Sequence, residues 1–172
     1  MADTMSSRFD TCHNLEMQMK GIIMILYQHR IYRTDLRNNR EAYYLFGDNV
    51  KRVGYGGQAK EMRDEPNAIG VATKSSPYEY FHDKDLIKNV SVMWDDLHPA
   101  YFAVIAGRTL IIPSDGLGTG LSKLPEMAPR TNKALLFMMD HLKPISLEAP
   151  YVAEEMFEEL QDYILGKLHC SP

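Results

Sequence analysis

Two stretches of this sequence combine glycine with small polar residues in a way that suits chemistry on an anion. The first is Gly47-Asp48-Asn49-Val50-Lys51-Arg52-Val53-Gly54-Tyr55-Gly56-Gly57-Gln58-Ala59, and the second is Asp115-Gly116-Leu117-Gly118-Thr119-Gly120-Leu121. Glycines let the backbone approach a ligand closely, and amides at the start of a helix point toward it with the positive end of the dipole behind them. In the first loop Arg52, Gly54, Gly56, Gly57 and Gln58 are the candidate ligand contacts. Asn49 can both donate to and accept from a ribose hydroxyl, and Asp48 can do the same or position a water. The alternative for Asp48-Asn49 is a plain tight turn, since both residues tolerate left-handed geometry.

In the second loop Gly116, Gly118 and Gly120 alternate with other residues, so little side chain separates backbone from ligand, and Thr119 adds a hydroxyl. A side chain at Gly118 should fill the anion position while leaving folding intact. Asp115 follows directly on a strand end, as a general base, a water-orienting group or simply a loop cap. Lys74, in Thr73-Lys74-Ser75-Ser76-Pro77, follows another strand on the same side. It reads either as a point charge for a phosphate or as a surface lysine.

Other chemistries lack their residues. The first loop has no terminal Gly-Lys-Ser/Thr and lacks the spacing of a dinucleotide fingerprint. The six histidines are scattered without helical ligand pairing, so no metal site is expected. No Gly-x-Ser-x-Gly element is present. Cys12 and Cys170 lie near opposite ends and read as free thiols in a reducing compartment. No cofactor is expected. The formal net charge of −4 argues against a general nucleic-acid binder, although Arg30 to Arg63 holds eight basic residues against four acids. That positive window contains the first loop and suits an anionic ligand, or is a set of solvated faces.

Apolar patterning supplies the elements that must position these loops. Ile22 to Tyr27 is a continuous apolar run suited to a central strand covered on both faces. Ile31 to Asn39 reads as a short helical turn capped by Thr34 or Asp35, and Ala42 to Phe46 as the strand before the first loop. Gly57 to Asp64 forms a short helix stopped by Glu65-Pro66, followed by a strand from Ala68 to Thr73. Asp85 to His98 has helical spacing of Leu86, Val90, Met93, Trp94 and Leu97. Thr109 to Ser114 is the strand before the second loop, and Pro125 to Leu142 a long helix. Pro150 to Leu168 reads as a last helix with an acidic outer face. Residues 1–20 read as an N-terminal arm and 21–172 as one α/β domain, large enough to bury its own core. No leader is visible in Met1 to Lys20 and the longest apolar run is too short to span a bilayer, so a cytoplasmic location is expected. In such sheets ligands sit beyond the carboxyl ends of the strands, where both loops fall.

The stretch from Tyr44-Leu45-Phe46-Gly47-Asp48-Asn49 through Gly54, Gly56-Gly57-Gln58-Ala59, Met62-Arg63, Glu65-Pro66-Asn67-Ala68 and Ala72-Thr73-Lys74 is similar to a group of small proteins of bacteriophages and bacteria. With Ile111 to Leu121 and Glu126-Met127-Ala128-Pro129, it resembles the macrodomain-like, ADP-ribose-binding proteins. The resemblance covers roughly Arg33 to Arg130. It implies a three-layer α/β/α macrodomain-like fold around a mixed or mostly parallel sheet, with ADP-ribose or a related NAD-derived nucleotide across the strand ends. Asn49 would take the ribose-side role and Gly116 to Gly120 the diphosphate loop. Asp48 or Asp115 would position water for hydrolysis of an ADP-ribosyl linkage or phosphate ester. Asp48 and Ala72 depart from the macrodomain-like pattern, which has a small residue and a proline there. In a phage such a protein would serve in counter-defence. A non-catalytic nucleotide sponge, or an accessory protein contacting a host protein through the acidic last helix, is the alternative.

Overall fold

The computed structural model describes residues 25–142. The expected arm at 1–20 and the last helix at 150–168 lie outside the described residues. Five strands form one sheet in the order β1-β5-β2-β3-β4: β1 Ile25–Gln28, β2 Tyr43–Asn49, β3 Ala68–Ser76, β4 Glu79–Tyr80 and β5 Leu110–Pro113. The first three pairings along that order are parallel, and only the short β4 runs antiparallel to β3. The sheet is therefore mixed but mostly parallel, as the interleaving of strands and helices predicts.

Side-chain alternation decides which helices cover each face. On β2, Leu45 joins Leu110, Ile112, Val71 and the residues of α3, Leu86–Ile105, and of α5, Pro129–His141. Tyr44 and Phe46 point the other way. They pack with Ile111, with Leu36 of α1 (Arg33–Asn38), and with Ala59 and Met62 of α2 (Ala59–Met62). Each face thus has its own apolar cluster under its own helices. Among the described residues no helix is long and apolar enough to cross a membrane.

Several boundaries differ from the sequence expectation. Among the described residues β1 stands at the edge of the sheet rather than at its centre, and Leu26 and Tyr27 stay 46% and 56% exposed. Continuous apolarity reports hydrophobic content and not the number of neighbours. On α1, Asp35 accepts from the Tyr32 amide at 2.9 Å as the third residue of the helix, so it closes the first turn from inside instead of standing at the cap. β2 extends through Asn49, which makes Asp48-Asn49 a strand end, and a tight turn starts at Asn49, whose carbonyl accepts from the Arg52 amide at 2.9 Å. α3 continues seven residues past His98, through Pro99, to Ile105. The long helix expected from Pro125 is two: α4, Leu124–Met127, and α5, separated at Ala128. Ala128 precedes Pro129 and is driven out of helical geometry, at φ −147° and ψ 69°.

Candidate functional site

β2, β3 and β5 run parallel, so their carboxyl ends meet at one rim, and the loops that leave β2 and β5 enclose a cleft of about 540 Å³. Its floor includes Gly47, Asp48 and Asn49 from the end of β2. One wall carries Gly54, Gly56, Gly57 and Gln58, and the other Asp115, Gly116, Gly118, Thr119 and Gly120. Lys74, from β3, lines it as well. Of the residues named from sequence, Arg52 alone lies outside this lining.

The backbone of the second wall alternates in the sign of φ. φ is positive at Gly116 (78°) and Gly118 (81°), while Asp115, Leu117 and Thr119 between and beside them keep negative φ. Alternating φ is the backbone pattern from which concave nests of N–H groups are built. Among the described residues no acceptor is found for the amides from Leu117 to Ser122, nor for those from Gly56 to Ala59 on the opposite wall. α2 is a single turn, so its dipole adds little, and the amides themselves are the donors.

A β-bulge sets the floor. Asp48 pairs with Ala72 and Asn49 with Lys74, which leaves Thr73 as the extra residue, its Oγ1 donating to the Asp48 carbonyl at 3.2 Å. Bulges of this type re-aim side chains at strand ends. Here the bulge directs Asp48 inward, where it meets Arg63. The Arg63 Nη1 donates to Asp48 Oδ2 at 3.1 Å, its Nη2 bonds Asp48 Oδ1, and its Nε holds the Gly54 carbonyl at 2.9 Å. Both side chains are nearly fully buried, at 9% and 4% exposure. Asp48 is thereby committed to an ion pair that anchors the first loop, and it is not a free carboxylate waiting for a water. Asn49 is committed too: its Nδ2 donates to the Val53 carbonyl at 2.8 Å and stitches the loop to itself.

The positive window serves the fold more than the cleft. Arg33, Arg37 and Arg40 converge on the buried Glu65, each at 2.9 Å. Burial pushes the Glu65 carboxyl up, but the hydrogen bonds from Arg37, Arg33 and Arg40 outweigh it and hold it below the usual glutamate value. Arg52 bonds Asp96 of α3 and the Gly70 carbonyl, pinning the first loop over β3, and its Nη1 stands 3.7 Å from Asp48 Oδ2.

Two contacts join the walls. Leu121 lies over Gly56 and Gly57, and Lys74 Nζ donates to the carbonyls of Leu121 (3.3 Å) and Pro77 (2.9 Å). Lys74 is thus a cation held across the cleft mouth. Asp115 stands at the rim with a 65% exposed side chain, 3.5 Å from His29 Nδ1. Gly118 needs correction: a Cβ there would come within 2.9 Å of Leu124 Cβ, and its φ is left-handed, so filling it disturbs the fold. Arg63, Thr73, Pro77 and Leu121 are lining residues that sequence reasoning did not pick out. For Arg63 the signal was its place one helical turn after Ala59, which returns the guanidinium beneath the loop.

The model of a family of unknown function (DUF7831) matches residues 26–137, a span that contains both glycine loops and the whole cleft lining. No curated protein and no solved structure matches the chain.

Proposed function

The chain belongs to DUF7831, whose function is unknown, and from that premise we propose that the cleft binds ADP-ribose or a related NAD-derived nucleotide through its diphosphate. The observation that carries this reading is the pair of facing amide runs, Gly56 to Ala59 and Leu117 to Ser122, without acceptors among the described residues and around one cavity. A cavity of about 540 Å³ lies inside the range of small-molecule sites, roughly 300–1,000 Å³. A diphosphate seated between the walls would accept from both, each charge-assisted bond contributing about 1.5–3 kcal/mol. The macrodomain-like order of the loops favours an ADP-ribose-type ligand over other phosphorylated molecules.

Binding without turnover is the better-supported form, because Asp48 is consumed by Arg63 and Asn49 by its own loop. Hydrolysis is the second reading, and its specific support is Asp115, exposed at the rim beside His29. Titration calorimetry with ADP-ribose, followed by chromatography of the mixture, separates the two. Saturable heat with intact ligand supports the binder; release of AMP with ribose 5-phosphate, or of ADP-ribose from an ADP-ribosylated peptide supplied separately, supports the hydrolase. Absence of any binding at millimolar ADP-ribose removes the nucleotide reading altogether.

A further inference from the structure

We infer that this cleft selects internal phosphates, those esterified on both sides, against terminal ones, and that Asp115 is a specificity-determining residue for that choice. The inference rests on the nucleotide reading above and names the class of phosphate the site takes. It follows from counting charge around the cavity. On the floor Arg63 and Arg52 are balanced by Asp48 and Asp96, with Arg63 also bound to the Gly54 and Val53 carbonyls. That leaves Lys74, shared with the carbonyls of Pro77 and Leu121, and Asp115 on the rim. One cation and one anion remain, so the site is close to neutral and its donors are backbone amides.

Neutral amides serve a singly charged, diester-like phosphate well. A terminal phosphate brings a second negative charge at neutral pH, against which the described lining sets one ammonium, Lys74, already shared by two carbonyls, and Asp115 repels it. Capping that phosphate with any neutral group removes the conflict without changing the diphosphate geometry. Asp115 suits the discriminating role because the second glycine loop fixes its backbone: Thr119 Oγ1 donates to its carbonyl at 2.8 Å. Its side chain stays exposed, with His29 as its neighbour.

The test compares ADP, its β-phosphate methyl ester and ADP-ribose by calorimetry on the wild-type chain and on Asp115→Asn. At a separation of several ångströms near the surface, one extra like charge is worth about three- to tenfold in affinity. The wild type should therefore bind the methyl ester about three- to tenfold more tightly than ADP. Asp115→Asn should narrow that ratio, strengthening ADP binding more than binding of the ester, which carries one negative charge fewer. Equal or tighter binding of ADP by the wild type overturns the inference, as does an unchanged ratio in Asp115→Asn. Either result leaves the nucleotide reading standing if ADP-ribose binds. If none of the three ligands binds, the nucleotide reading has failed and the inference fails with it. Thermal melts of Asp115→Asn check folding, and its exposed side chain should leave them unchanged.

Discussion

Leu121 Cδ1 lies 3.1 Å from where a Cβ on Gly56 would sit, so the two walls of the cleft touch through one leucine side chain resting on one bare backbone. Gly56 has no left-handed φ to defend, and its neighbour is the free end of a flexible side chain. Gly56→Val should therefore fold, with a urea midpoint close to that of the wild type, yet push Leu121 into the cavity. ADP-ribose affinity should fall by more than about tenfold, since displacing the facing amides loses one or two charge-assisted bonds. Calorimetry beside urea melts reads both quantities, and unchanged affinity would remove this wall from the site.

Gly118 and Gly120 are close in sequence and opposite in constraint. A Cβ at Gly118 meets Leu124 at 2.9 Å in a left-handed backbone, whereas one at Gly120 meets nothing within 4 Å. Gly118→Ala should destabilise by about 1–3 kcal/mol through overpacking and strain. Gly120→Ala should leave stability within about 0.5 kcal/mol, as is usual for unconstrained surface positions. Chemical denaturation of the two variants decides this, and equal losses would contradict the packing of the second loop.

The Arg63–Asp48 pair predicts a coupled loss. Arg63→Met leaves the buried Asp48 carboxylate with Arg52 alone, 3.7 Å away, and releases the Gly54 carbonyl. The expected loss is about 3–5 kcal/mol, the usual result of removing one partner of a buried pair. Adding Asp48→Asn to that variant should recover part of the loss, because the poorly compensated charge goes. Urea unfolding of the two single variants and the double gives the coupling, and strict additivity would show that the pair does not act as a unit.

Glu65 links stability to acid. Its carboxyl lies below the ordinary glutamate value in the folded protein. The stabilisation is therefore fully present above about pH 4.3, the unperturbed glutamate range, and is lost as pH falls through the lower folded value. Melting curves from pH 7 down to pH 3 should show a drop in that window. Glu65→Gln should flatten the drop and lower stability at pH 7, where Arg33, Arg37 and Arg40 would face one another uncompensated. An identical acid profile in the variant would show that Glu65 does not carry the effect.

The two loops were legible in the sequence because glycine at alternate positions interrupts every apolar period, and because each interruption follows a strand-like run. Pairing of side chains was not legible. Arg52 and Arg63 stand in the same basic window, and only the path of the chain sets Arg63 under the loop and Arg52 between Asp48 and Asp96. The same holds for Asp48, whose sequence neighbours give no hint that an arginine fifteen positions later occupies both of its oxygens. β1 misled because an apolar run looks alike at the centre and at the edge of a sheet. Pro99 and Pro129 show the opposite effects of one residue type: the first is carried inside a helix, and the second begins one.

The strand order carries a consequence for how this molecule comes into being. β5 inserts between β1 and β2, both of which leave the ribosome long before it. Until Leu110 emerges, a nascent chain has two strands that cannot hydrogen-bond to each other, and the entropy of closing that large loop must be met before the pairing rewards it. The second wall lies immediately downstream of this late strand, so sheet completion and assembly of the cavity become a single event.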